Sequence, residues 1–136
     1  MRLVPLLLGL VCLAACGREA DVALGGRDTF LRYCASCHGS EGRGDGALAA
    51  SLTRPPSDLT QLARKSGGRF DEGEVMEVID GRRQLAAHGT RDMPVWGAIF
   101  EEEGRGTPYP AYQSLVRSRF LVDYLATIQQ SPSDAP

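Results

Sequence analysis

The chain has 136 residues, the length of one domain. A composition of 43% hydrophobic and 24% charged residues is ordinary for a globular protein and excludes disorder throughout. The formal net charge of −2 excludes a broad basic surface for nucleic acid, and no apolar run reaches the roughly 18–20 residues of a membrane-spanning helix.

The N-terminus reads as an export signal, not as part of the fold. Met1-Arg2 is a short positive region. Leu3 to Leu13 is an apolar run interrupted by Pro5 and Gly9, and Leu13-Ala14-Ala15-Cys16 sets small residues before a cysteine. This ending resembles the bacterial lipoprotein signal, which implies lipidation of Cys16 and a periplasmic, membrane-anchored domain. The alternative is a plain secretory signal cut nearby, with Cys16 incidental. The expected divisions are a signal over residues 1–15, a tether over 16–25, a folded domain over 26–130 and a disordered tail over 131–136.

The domain opens with a helix expected from Gly26 to Ala35, in which Gly26, Phe30 and Cys34 share one face. It runs into Cys34-Ala35-Ser36-Cys37-His38, the C-x-x-C-H pattern of c-type haem attachment. On one helical turn the two thiols can each bond a vinyl group of one porphyrin edge, and the next residue turns its imidazole toward the iron. Cys12 lies in the apolar run and Cys16 is the lipid candidate, so Cys34 and Cys37 are left to pair or carry a group in an oxidising compartment. Other readings compete. A thioredoxin-type pair needs a βαβ context that the sequence does not offer. Structural zinc wants four ligands, often as two separated pairs, and only Cys34, Cys37, His38 and His88 remain. A simple disulfide would not need the histidine.

Gly39 to Gly46 carries four glycines. With no strand before it and no phosphate-loop lysine, it reads as a turn-rich loop. Arg54-Pro55-Pro56 breaks the chain, and Ser57 is the expected N-cap of a short helix from Asp58 to Lys65, stopped by Gly67-Gly68. Asp71 and Glu74 form a capping-box-like pair, with Phe70 placed to staple onto Val75. Val75, Val78 and Ile79 give that helix its apolar stripe, and Gly81 ends it. Arg82 to Gly106 has no clear period beyond a turn of helix expected at Ala98–Glu101. After Thr107-Pro108-Tyr109-Pro110, a last helix runs from Ala111 or Ser114 to Gln129. Its apolar side is Val116, Phe120, Leu121, Tyr124, Leu125 and Ile128. The fold class is all-α, with long loops suited to surround a prosthetic group.

A six-coordinate haem needs a ligand from its other face. Met76 sits beside an apolar helical stripe, where methionine is usually core filling. His88, in Ala-Ala-His-Gly, reads more readily as a solvated loop histidine. Met93 precedes Pro94, which biases it toward extended backbone and holds its side chain out from a loop. Met93 is therefore the expected axial partner of His38. Trp96, three residues on, either contacts the haem or fills the core. Phe30 and Tyr33 read as helix packing.

These residues resemble the class I cytochrome c family. Cys34-Ala35-Ser36-Cys37-His38 matches its attachment motif, and Gly26, Phe30, Leu121 and Tyr124 match its crossing of N- and C-terminal helices. Met93-Pro94 matches the distal-ligand loop of many bacterial members. Pro55-Pro56-Ser57-Asp58-Leu59 resembles the stretch after the proximal loop, which implies that one of these prolines offers its neighbourhood to the His38 ring N–H. The resemblance implies a cytochrome c-like fold around one covalent haem c. One departure is charge. Lys65 is the only lysine, so the lysine ring of mitochondrial-type members is missing. Arg82, Arg83 and Arg91 could form a local positive rim, and Glu101–Glu103 reads as a solvated face.

The expected function is a periplasmic monohaem electron carrier with His/Met ligation, not an enzyme. Its expected partners are membrane or periplasmic redox proteins and, through Cys16, the membrane itself, with no nucleic acid. The alternatives are a haem c subunit of a membrane-associated dehydrogenase or oxidase complex, an open-site haem sensor or enzyme, and a non-haem thiol protein.

Overall fold

The computed structural model describes residues 25–83 and 93–130. The signal, Cys16 with the tether up to residue 24, His88, Arg91 and the tail lie outside the described residues. Among those described, the regular structure is helical. It comprises α1 (25–33), α2 (Ala35–His38), α3 (Leu62–Lys65), α4 (Glu72–Ile79), α5 (Trp96–Glu103) and α6 (Pro110–Thr127). Short 3₁₀ turns lie at Ala49–Ser51 and Leu59–Gln61.

The core forms where α1 crosses α6. Gly26 lies so close to α6 that a Cβ on it would overlap the Phe120 carbonyl oxygen and come 2.8 Å from the Tyr124 Cβ. Phe30, one turn on, is fully buried with its ring centroid 5.4 Å from that of Tyr124. Cys34, Ile79, Leu121, Val122 and Leu125 complete the buried cluster. Each large apolar side chain removed from water in this way contributes about 1.5–3 kcal/mol before entropy is subtracted. The all-α class and the helix crossing are as the sequence implied.

α4 starts where its local chemistry dictates. The Asp71 carboxylate accepts from the Glu74 backbone N–H at 3.0 Å, and Phe70 and Val75 both pack against the core. The Glu74 carboxylate pairs with Arg83 at 3.2 Å instead of returning to the cap, so only one half of the expected capping box forms. Arg119 of α6 reaches Glu72 at 2.9 Å and its own-helix Asp123 at 2.7 Å, fastening the start of α4 to α6.

Three elements are bounded differently from expectation. Asp58, not Ser57, caps the helical turn after the prolines; its carboxylate accepts from Thr60 N–H at 2.9 Å and Thr60 O–H at 2.6 Å. Its carboxylate is one residue closer to the free N–H groups of the turn, and the Ser57 carbonyl is used elsewhere. α5 spans Trp96–Glu103 and not just the turn Ala98–Glu101. No side chain caps its start. Instead the Trp96 and Phe100 rings stack on each other at 6.1 Å and both meet Tyr33 of α1 edge-on, at 5.7 and 5.2 Å. α6 begins at Pro110, where proline's fixed φ suits the first helical position, and ends at Thr127, short of Gln129. Its buried face also takes in Val122, Ser114 and Ser118, because α6 packs against both α4 and α5 as well as α1.

Candidate haem site

α1 delivers the thiols. The Cys34 N–H donates to the Phe30 carbonyl at 2.8 Å, and the Cys37 and His38 N–H groups both donate to the Cys34 carbonyl, at 3.1 and 2.9 Å. The pattern therefore occupies one continuous helical turn, as its spacing requires. Cys34 is buried in the core cluster and Cys37 is half-buried, and both thiols are free. Burial, helped by the nearby Cys37, pushes the Cys34 thiol up to about 12, so it is neutral at ordinary pH.

Two loops fold back on this turn. The Gly44 N–H donates to the His38 carbonyl at 2.8 Å, the Gly46 N–H to the Cys37 carbonyl at 3.1 Å, and the Leu48 N–H to the Ser36 carbonyl at 2.9 Å. Gly44 sits at φ 83°, and a Cβ there would lie 2.5 Å from the Pro56 carbonyl oxygen, so this contact between the two loops needs glycine. The second loop supplies the partner of His38. The His38 Nδ1 lies 2.9 Å from the Ser57 carbonyl oxygen and so carries the proton that it donates. The free lone pair is left on Nε2. Burial lowers the His38 pKa below its ordinary value, against the opposing effect of the Ser57 bond, which keeps the ring neutral.

Met93 is half-buried and packs against the same cluster that contains Cys34. It lies in the non-helical stretch before α5, as Pro94 suggested. Trp96 packs against that cluster too. Met76 also borders it from α4, in the core-filling position expected of it. Cys34 belongs to this cluster and Met93 and Trp96 border it, with His38 on the turn that begins at Cys34. Tyr33 and Phe30 pack as expected. Arg82 pairs with Asp80 at 2.7 Å and Arg83 with Glu74, so the charge these two could lend to a positive rim is locally neutralised. Glu101–Glu103 is exposed, but Glu103 is also engaged: it accepts from the Tyr33 hydroxyl at 2.7 Å and from Arg117 at 2.8 Å.

The donor set fits a c-type haem: two free thiols on one turn, a neutral imidazole with its tautomer fixed, and a thioether at the edge of the same apolar cluster. Sequence reasoning missed the Ser57 carbonyl as the specific acceptor, having placed the residue as a helix cap. It also missed the C-terminal glutamines that brace the Ser57 loop: Gln129 binds Leu59 and Ala63, and Gln130 binds Thr60. The doubled proline before Ser57 was the available signal for the first. For the glutamines there was none.

The model of the family described as cytochrome c oxidase, cbb3-type, subunit III matches residues 21–106. The matched stretch holds the C-x-x-C-H turn, Ser57, Met93 and Trp96. No curated protein and no solved structure matches the chain.

Proposed function

Because the chain belongs to the family of cytochrome c oxidase, cbb3-type, subunit III, we infer that it is a periplasmic monohaem c-type cytochrome, anchored by a lipid on Cys16 and not itself an enzyme. Electron transfer by a covalent haem c follows from the cytochrome c domain alone. The ligand assignment is the finer step: His38 and Met93 would supply the protein's ligands to the iron.

A bound haem would supply one-electron redox chemistry at its iron. Cys34 and Cys37 would hold it through thioethers, formed by adding each S–H across a vinyl group with no net gain or loss of electrons. His38 presents Nε2, because its Nδ1–H is committed to Ser57. Met93 presents its thioether sulfur. The apolar cluster around Cys34 would disfavour the extra charge of a ferric iron and so raise its potential. The Ser57 carbonyl works the other way by making the imidazole a stronger donor. Trp96 borders the same cluster, with its ring against those of Tyr33 and Phe100.

The observation that carries this reading is the 2.9 Å His38–Ser57 bond on the helical turn that bears the two free thiols. A haem count tests it, on protein made in a periplasm that attaches haem c. The expectation is one covalent haem per chain and none in the Cys34→Ala, Cys37→Ala double variant. Haem that survives acid-acetone extraction in the double variant contradicts the assignment.

The family's description favours a second reading, a fixed subunit of an oxidase complex. Gentle detergent extraction of membranes separates the two. A subunit co-purifies with the oxidase and loses stability when stripped from it, whereas a carrier is stable alone.

A further inference from the structure

Directly after α6 the chain ends its described course in Gln129 and Gln130, and both turn onto the loop that holds Ser57. The Gln129 Nε2 donates to the Leu59 carbonyl and to the Leu125 carbonyl, each at 2.8 Å. Its Oε1 accepts from the Ala63 N–H at 2.9 Å. The Gln130 N–H donates to the Thr60 carbonyl at 2.9 Å, and its side chain bonds that of Gln61. On the other flank, the Leu59 N–H donates to the Gly42 carbonyl at 2.7 Å. The segment from Leu59 to Ala63 is therefore gripped from both sides, and Ser57 lies two residues upstream of it. The intervening Asp58 is itself tied down through Thr60. Little freedom is left for the Ser57 carbonyl to leave the His38 ring.

We propose that Gln129 is a positioning residue for His38: by latching the Leu59–Ala63 segment to the end of α6, it holds the Ser57 carbonyl on Nδ1. The proposal rests on the reading of His38 as the iron's axial ligand. Only a primary amide fits this place. Both amide protons go to carbonyl oxygens and the amide oxygen takes a backbone N–H, so all three groups are used. Glutamate has the same shape but would set a carboxylate against two carbonyl oxygens, with nothing to donate.

The consequence is electronic as well as structural. A carbonyl that accepts firmly from Nδ1–H makes the imidazole a stronger donor and favours the ferric state. Releasing the latch loosens that bond and raises the midpoint potential. It also frees the ring N–H to exchange, roughly tenfold faster for the loss of about one net hydrogen bond.

The test uses the full-length holoprotein with Gln129→Glu and Gln129→Ala. The midpoint potential is read by spectroelectrochemical titration, the His38 ring N–H exchange by proton NMR, and global stability by denaturant. The expected result is a higher potential and faster ring N–H exchange in both variants. Lower stability with potential and ring exchange unchanged would reduce Gln129 to a structural role and overturn the proposal. Native-state hydrogen exchange on the unmodified holoprotein covers variants that fail to fold. The latch requires the Ala63 amide and the His38 ring N–H to open together, and independent opening overturns it. A wild-type spectrum without low-spin histidine ligation would overturn the axial assignment and this proposal with it. An unchanged potential in a low-spin variant overturns the latch alone.

Discussion

Gly26 of α1 and Phe120 of α6 meet backbone to backbone, with no room for a side chain between them. The two helix ends of the domain are locked at this point, and the C-x-x-C-H turn follows directly from α1. Gly26→Ala would force the helices apart against a backbone carbonyl that cannot rotate away. The expected cost is about 1–3 kcal/mol, read as a lower denaturation midpoint with an unchanged slope. An unshifted midpoint would show that the crossing is not as tight as described.

The Tyr33–Glu103 bond makes a pH-dependent contribution with two edges. The Tyr33 and Arg117 hydrogen bonds hold the Glu103 carboxyl below its usual range. The same bond to Glu103, aided by burial, raises Tyr33 above its ordinary 10.0. A depressed carboxyl stabilises the fold above its unfolded pKa, and that contribution is lost as pH falls through the folded value. A raised phenol stabilises below its unfolded pKa, and that contribution is lost as pH rises through the folded value. Tyr33→Phe should therefore lower stability most between about pH 5 and 10. The gap to wild type should narrow on both sides. Denaturation at a series of pH values reads it, and a gap that stays constant down to strongly acidic pH would contradict the account.

Much of this architecture was legible because its causes are local. The Asp71 cap lies three residues from the N–H it serves, and the C-x-x-C-H pattern occupies one turn. α5 was only partly legible. It carries Gly97 and lacks a capping side chain, and its first turn is held by Tyr33, far away in sequence. Ser57 was misjudged by one residue because serine and aspartate are both good caps, and only the fold shows that the Ser57 carbonyl is committed to His38. The Gln129 contacts span 66 and 70 residues, and no local pattern announces them.

Met76 and Met93 border the same cluster, yet they should respond differently. Met76→Leu keeps the volume and should cost less than about 1.5 kcal/mol with no spectral change. A spectral change in Met76→Leu as large as in Met93→Leu would exchange their assigned roles.

Cys16→Ala should release the protein from membranes into the periplasmic fraction, because one residue carries the proposed anchor. Membrane association that persists after a salt wash would count against lipid anchoring. It would point instead to docking on a membrane protein.

The most direct test of the central assignment is the visible spectrum of the oxidised and then reduced holoprotein, beside that of Met93→Ala. The account predicts sharp low-spin α and β bands on reduction and a weak far-red sulfur-to-iron band when oxidised. In Met93→Ala the far-red band should vanish and carbon monoxide should bind the reduced form. A high-spin wild type that binds carbon monoxide without denaturation, or a far-red band that survives in Met93→Ala, would contradict it.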